Sequence, residues 1–138
     1  MSAVIILVLI SITDAAPFAY ITNSGSNNVS VINTATDKVT ATVDGAVEGP
    51  GIAATQDGKK VYVANMNSDN FSVIDAATNK VTATVPLGNE TTQLVPYGIA
   101  VSPDGKKVYV ANNGGGCATR GAGLSLLLTQ RQIKLQTL

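Results

Sequence analysis

The side chains able to do chemistry in this chain are few and scattered. Nine Asp and Glu stand against nine Lys and Arg, there is one cysteine, Cys117, and there is no histidine. Histidine is the commonest general base and metal ligand near neutral pH, so most hydrolytic and transition-metal mechanisms lose their usual actor. A lone cysteine builds neither an internal disulfide nor a thiolate metal quartet. The carboxylates Asp37, Asp57, Asp69, Asp75 and Asp104 each lie in or beside a short polar stretch. A calcium loop needs several oxygens converging from one segment, as in a D-x-D-x-D run, and no such run occurs. Asp and Asn at these places are therefore expected to shape turns. No catalytic residue, metal ligand or cofactor is assigned.

Three Asn-x-Ser/Thr sequons are candidate N-glycosylation acceptors: Asn28, Asn70 and Asn89. Asn28 and Asn70 recur at equivalent places, each at a turn entering an apolar stretch, where Asn also suits the turn itself. Lys59-Lys60 and Lys106-Lys107 read as solvated charges protecting strand edges. A nucleic-acid surface would need a basic stripe with stacking aromatics. Aromatics are 4% of the chain, Trp is absent and the formal net charge is zero.

These residues are set in a repeat. Ser30–Val43 (SVINTATDKVTATV) returns as Ser72–Val85 (SVIDAATNKVTATV), about 42 residues later. Gly51–Asn65 (GIAATQDGKKVYVAN) returns as Gly98–Asn112 (GIAVSPDGKKVYVAN), at a spacing lengthened by Asn89–Gln93. A fainter copy, Ala19–Asn23, opens the series. The period falls in the range of propeller blades. Each unit predicts four short antiparallel strands. Gly51–Ala54 is small and apolar, suiting an inner strand crowded near an axis. Asp57-Gly58 makes a hairpin turn, because Gly accepts positive φ. Lys60–Asn65 and Phe71–Asp75 follow, and Lys80–Val85 alternates as a solvent-facing edge. The Val-, Ile- and Thr-rich composition favours such strands and shows no helical period.

The combination of Tyr-Val-Ala-Asn at 62–65 and 109–112, Pro-Asp-Gly-Lys-Lys at 103–107 and SVIDAATNKVTATV resembles the YVTN β-propeller repeat of archaeal surface-layer and related cell-surface proteins. The resemblance covers about residues 18–112. It implies an all-β fold of four-stranded antiparallel blades, a seven-bladed propeller when the ring is closed. It supplies no shared catalytic residues. The implied function is a non-enzymatic surface or surface-layer module contacting other cell-surface proteins or itself. The alternatives are a ligand-binding propeller fragment and the non-functional product of a frameshifted gene. No nucleic acid and no small-molecule substrate are expected as partners.

The expected organisation has three parts: an N-terminal hydrophobic signal peptide or anchor at 1–16, repeats at 17–113, and a non-repeat tail at 114–138. Within the repeats, 17–49 is a partial blade, 50–88 a full blade and 96–113 a partial blade, about two and a half blades in all. The apolar run Val4–Ile12 is too short to span a bilayer and suits a leader core, with small residues at Ala15, Ala16 and Ala19 for cleavage. The alternative is a buried β-strand. Export to the cell surface follows from the leader reading. The tail reads as frameshift-derived, because permitted codons for Ser125–Leu138, taken one frame over, spell SVIDTATNKVTDT, the strands next due in the repeat. An incomplete ring predicts marginal stability and self-association through open blade faces.

Overall fold

Why these segments become strands is visible in their alternation. Lys80–Pro86 (KVTATVP) places Lys, Thr, Thr and Pro on an exposed face and Val81, Ala83 and Val85 on a half-buried one, which is the period-two pattern of a sheet edge. The structure is a computed structural model and describes residues 8–9, 18–45, 49–87, 94–112 and 133–134. Those residues form eleven strands: β1 (Val8–Leu9), β2 (Phe18–Asn23), β3 (Asn28–Asn33), β4 (Lys38–Asp44), β5 (Ile52–Ala54), β6 (Lys60–Asn65), β7 (Asn70–Asp75), β8 (Lys80–Pro86), β9 (Pro96–Val101), β10 (Lys107–Asn112) and β11 (Ile133–Lys134). They make three antiparallel sheets ordered β1-β2-β3-β4, β5-β6-β7-β8 and β11-β10-β9. No helix occurs among the described residues.

The second sheet, β5 to β8, has four strands and lies within 50–88. The first also has four strands. Val8 and Leu9, inside the run read as a leader, pair with Tyr20 and Ala19. Ala53 and Ala54 pair with Tyr62 and Val61 in the same register. The first blade thus has the four-strand order of the second. The rest of 1–16, and the tail apart from Ile133–Lys134, lie outside the described residues; those two pair with Val108 and Lys107 beside the third blade's β10.

Two repeated devices shape the first and second blades. The four-residue hairpins 24–27, 34–37, 66–69 and 76–79 all end on Asn or Asp with positive φ: Asn27 at 53°, Asp37 at 54°, Asp69 at 48° and Asn79 at 54°. Asn and Asp tolerate that region best after Gly. The strand pairs β3–β4 and β7–β8 both shift register at one point, Val31/Ile32 and Val73/Ile74. There the Thr40 and Thr82 hydroxyls donate to the Val31 and Val73 carbonyls, each at 3.2 Å. An extra residue at this place adds twist, as a β-bulge does.

The core lies between blades. Tyr20, Val29, Val31 and Val43 of the first pack against Ile52, Val61, Val63 and Ile74 of the second. Tyr62, Phe71, Val73 and Leu87 then meet Val108, with Ile99, Val101 and Val110 alongside. Tyr62 and Phe71 meet edge to face, with centroids 6.0 Å apart, a geometry worth about 0.5–1.5 kcal/mol beyond burial. Gly51 makes the close approach possible. A Cβ there would lie 2.5 Å from the Tyr97 carbonyl oxygen and 3.1 Å from the Ala64 Cβ.

Candidate functional site

The strand ends carry the side chains that sequence reasoning singled out. At Asp57 and Asp104 the expected Asp-Gly hairpins form, with Gly58 and Gly105 at φ of 68° and 69°. The Thr55 hydroxyl donates to Asp57 Oδ1 at 2.6 Å, and the Lys59 amide donates to the same oxygen at 3.1 Å. The Lys60 amide closes the loop onto Thr55 Oγ1 at 3.1 Å. The third blade repeats this, with the Ser102 hydroxyl and the Lys106 amide on Asp104 Oδ1 at 2.5 and 3.1 Å. Asp75 Oδ1 accepts from both the amide and the hydroxyl of Thr78, each at 2.8 Å. All three carboxyls are held below the ordinary carboxylate range, in each case first by the neighbouring hydroxyl and then by a backbone amide. They stay ionised at neutral pH and act as turn locks. An ionised carboxylate with its lone pairs engaged is a poor general acid.

Asp69 has a longer reach. Its Oδ1 accepts from the amides of Leu94 and Val95, at 3.0 and 2.9 Å. One carboxylate oxygen thereby ties the second blade's central hairpin to the segment entering the third. Val95 has a φ of 48°, a costly conformation for a β-branched residue, and the bond from its own amide helps hold it there. No local sequence signal marks this role, because the partners are 25 and 26 residues away.

The sequon residues form a clamp. Asn23 Nδ2 donates to Asn28 Oδ1 at 2.9 Å and to Ser30 Oγ at 2.8 Å. Asn65 Nδ2 donates to Asn70 Oδ1 at 2.6 Å and to Ser72 Oγ at 2.9 Å. Each clamp spans a hairpin whose ends are Cα partners, Asn23 with Asn28 and Asn65 with Asn70. Asn70 Nδ2, the atom a glycan would take, donates to the Ser68 carbonyl at 2.8 Å, and Ser72 is buried. The signal for this clamp was present in the sequence as two Asn, five apart, with a Ser two further on, in both repeats. Asn89 lies outside the described residues.

The two buried tyrosines complete the inventory. Burial, and secondarily the nearby carboxylates Asp75 and Asp57, push the phenols of Tyr20 and Tyr62 up. Both are core groups. Among the described residues no three His, Cys, Asp or Glu side chains gather as a metal site would need.

Repeated four-stranded fans, side by side with a core between their faces, define a β-propeller repeat protein. The chain belongs to the YNCE-like beta-propeller family, whose model matches residues 2–127. No curated protein sequence matches it. Among solved structures it is similar to the hydrazine synthase of Kuenenia stuttgartiensis, at 33% identity and a TM-score of 0.66, over 77% of this chain and 28% of that one. It is similar to the dihydro-heme d1 dehydrogenase NirN in complex with DHE, at 26% identity and a TM-score of 0.57, over 70% of this chain and 20% of that one. The β-propeller domain of Cps50 (Swd1) from Myceliophteria thermophila, at 14% identity and a TM-score of 0.55 over 69% of this chain and 29% of that one, shares the fold. The chain thus spans under a third of the length of each of these structures.

Proposed function

We propose that this chain is a non-enzymatic structural and interaction module of the cell surface, whose propeller blades pack on each other, on further copies and on other surface proteins. The observation that carries the reading is the local use of its polar groups. Asp57, Asp75 and Asp104 lock their own hairpins, Asp69 ties one blade to the next, and Asn23, Asn28, Asn65 and Asn70 clamp strand ends. Such groups serve the repeat, and the faces of the blades serve association. The Val-Tyr-Val-Ala-Asn and Ser-Val-Ile-Asn/Asp repeats that resemble those of archaeal surface-layer proteins support the same place in the cell.

The test is labelling of intact cells with a membrane-impermeant amine reagent, since Lys38, Lys59 and Lys80 are exposed. A surface module is labelled without lysis. Recovery of labelled protein only after lysis removes the surface reading. Glycans at Asn28, Asn70 or Asn89 belong to the same proposal, and an intact mass before and after deglycosylation reads them out. A second reading, a ligand-binding propeller, is favoured by the 33% identity to hydrazine synthase. It predicts a ligand-dependent rise in melting temperature, which the structural module lacks.

A further inference from the structure

Strand direction sorts the charges of this chain to opposite ends of its blades. In the second blade β5 and β7 run toward the end where β6 and β8 begin. That end therefore collects the Asp-Gly hairpin and the hairpin 76–79, with Lys59, Lys60 and Lys80. The first blade places Lys38 there, at the start of β4, and the third places Lys106 and Lys107 there, at the start of β10. The ends of neighbouring blades adjoin: a Cβ on Gly105 of the third blade's hairpin would lie 3.9 Å from Thr55 Cγ2 of the second's. Phe18 and Ala76, at the corresponding ends of the first and second blades, pack against one core cluster. Every lysine whose side chain is described thus stands on one rim. The backbone of Lys134, Cα partner of Lys107, is at that rim too. The opposite rim has no lysine among the described residues and carries Asp44 and Asp69.

The lysine rim also holds Asp37, Asp57, Asp75 and Asp104, so the count alone gives a modest excess of positive charge. The two signs are placed differently. Asp57, Asp75 and Asp104 are drawn back onto their hairpins by hydroxyl and amide donors. The ammonium groups sit on flexible four-carbon stems that extend into solvent. Five of the six lysines are exposed and Lys107 is half-buried. One ion pair forms among the described residues, Lys59 with Asp57 at 3.7 Å. Lys38, Lys60, Lys80, Lys106 and Lys107 make none there.

We infer that this rim is a docking surface for an anionic polysaccharide, one bearing carboxylates or sulfates along its length and lying across the three blades. Charge complementarity supplies the attraction. The chemistry between the lysines suits sugar: the exposed Thr36 hydroxyl can donate to and accept from ring hydroxyls, and the exposed Thr78 hydroxyl, whose proton goes to Asp75, can accept from them. A nucleic acid would want exposed aromatic faces for its bases. Among the described residues the exposed large aromatic side chain is Tyr97, the second residue of β9, which stands at the other rim. A bilayer would want several large apolar side chains to insert, and among the described residues Val39 is the one large apolar side chain exposed near this end. The inference rests on where the lysines are and holds wherever the protein resides.

Polygalacturonate is the probe. The full chain is expected to bind it at low ionic strength, read by sedimentation with the polymer. It is expected to release it at about 1 M salt, where the screening length shrinks to about 3 Å. The triple variant Lys60→Gln, Lys80→Gln, Lys107→Gln should bind about tenfold more weakly or worse. Asp44→Asn, on the opposite rim, should bind as the parent does. Thermal melts of both variants confirm that they are folded; if the triple variant does not fold, acetylation of the folded parent's exposed lysines replaces it and should give the same loss. Absence of binding at low salt overturns the inference, as does a folded triple variant that binds like the parent. Equal or tighter binding to phosphatidylglycerol vesicles or to duplex DNA also overturns it, because the rim would then be selecting charge and not sugar.

Discussion

The hexapeptide Lys-Val-Tyr-Val-Ala-Asn occurs twice, as β6 and as β10. In β6 every residue after the lysine is buried. In β10 only Val108 is buried, and Tyr109, Val110, Ala111 and Asn112 are half-exposed. Sequence, strand type and preceding Asp-Gly hairpin are the same, so the difference lies in what each strand packs against. β6 sits between a blade on either side, within two core clusters. β10 has the second blade on one side and, among the described residues, no blade on the other. Burial in a repeat protein is thus a property of position in the array, and stability resides as much in the interfaces as in the units.

The largest effect expected from that comparison is at the tyrosine. Tyr62→Ala should remove about 3–5 kcal/mol, the usual cost of emptying a buried aromatic site. Tyr109→Ala, the same change in the same hexapeptide, should cost about 1 kcal/mol. Urea midpoints of the two variants read the difference, and equal shifts would mean that β10 is as enclosed as β6. Next in size is the glycine pair. Gly51→Ala drives a Cβ to 2.5 Å from the Tyr97 carbonyl oxygen and should cost about 1–3 kcal/mol through forced separation of the inner strands. Gly98→Ala, whose nearest neighbour is the Ala111 Cβ at 3.5 Å, should be close to neutral in the same melts.

A smaller effect sharpens the account of how the second blade holds the third. Asp69→Ala leaves the Leu94 and Val95 amides without their acceptor and should cost about 1–2 kcal/mol. Amide exchange should quicken at 94 and 95 before it quickens in β6. The smallest effect is electrostatic. Asp57, Asp75 and Asp104 have lower pKa values folded than unfolded. Their contribution is therefore complete above the unfolded value of about 3.9 and is lost as pH falls through it and below. An acid titration of stability should bend downward there. Thr55→Val and Ser102→Ala, which remove the first donor at Asp57 and at Asp104, should flatten the bend.

Much of this fold was legible because its determinants are local. Asp-Gly at 57–58 and 104–105 marks hairpins through positive φ, and the alternation of Lys80–Val85 marks an edge strand. The 42-residue recurrence then multiplies each local signal. What escaped depended on partners distant in sequence. Val8 and Leu9 carry no hairpin signal before β2, so nothing local marks their pairing with Tyr20 and Ala19. The clamp is the exception: its partners, Asn23 with Asn28 and Asn65 with Asn70, are five residues apart, and it lay behind the sequon match at Asn28 and Asn70. Asp69 looked like one more turn residue until the segment at 94–95 lay across it. The lysine pairs were seen as edge charges, but their gathering on one rim follows from strand direction across three blades, which no single repeat displays.

Hydrogen exchange at the two copies of the hexapeptide tests the central claim most directly, because sequence is held constant while the environment changes. The account predicts that the amides of Val63 and Ala64 exchange only through global unfolding, while those of Val110 and Ala111 exchange at least about tenfold faster through local opening of the third blade. Equal protection at the two sites would contradict it, and would show that the outer face of β10 is covered as completely as that of β6.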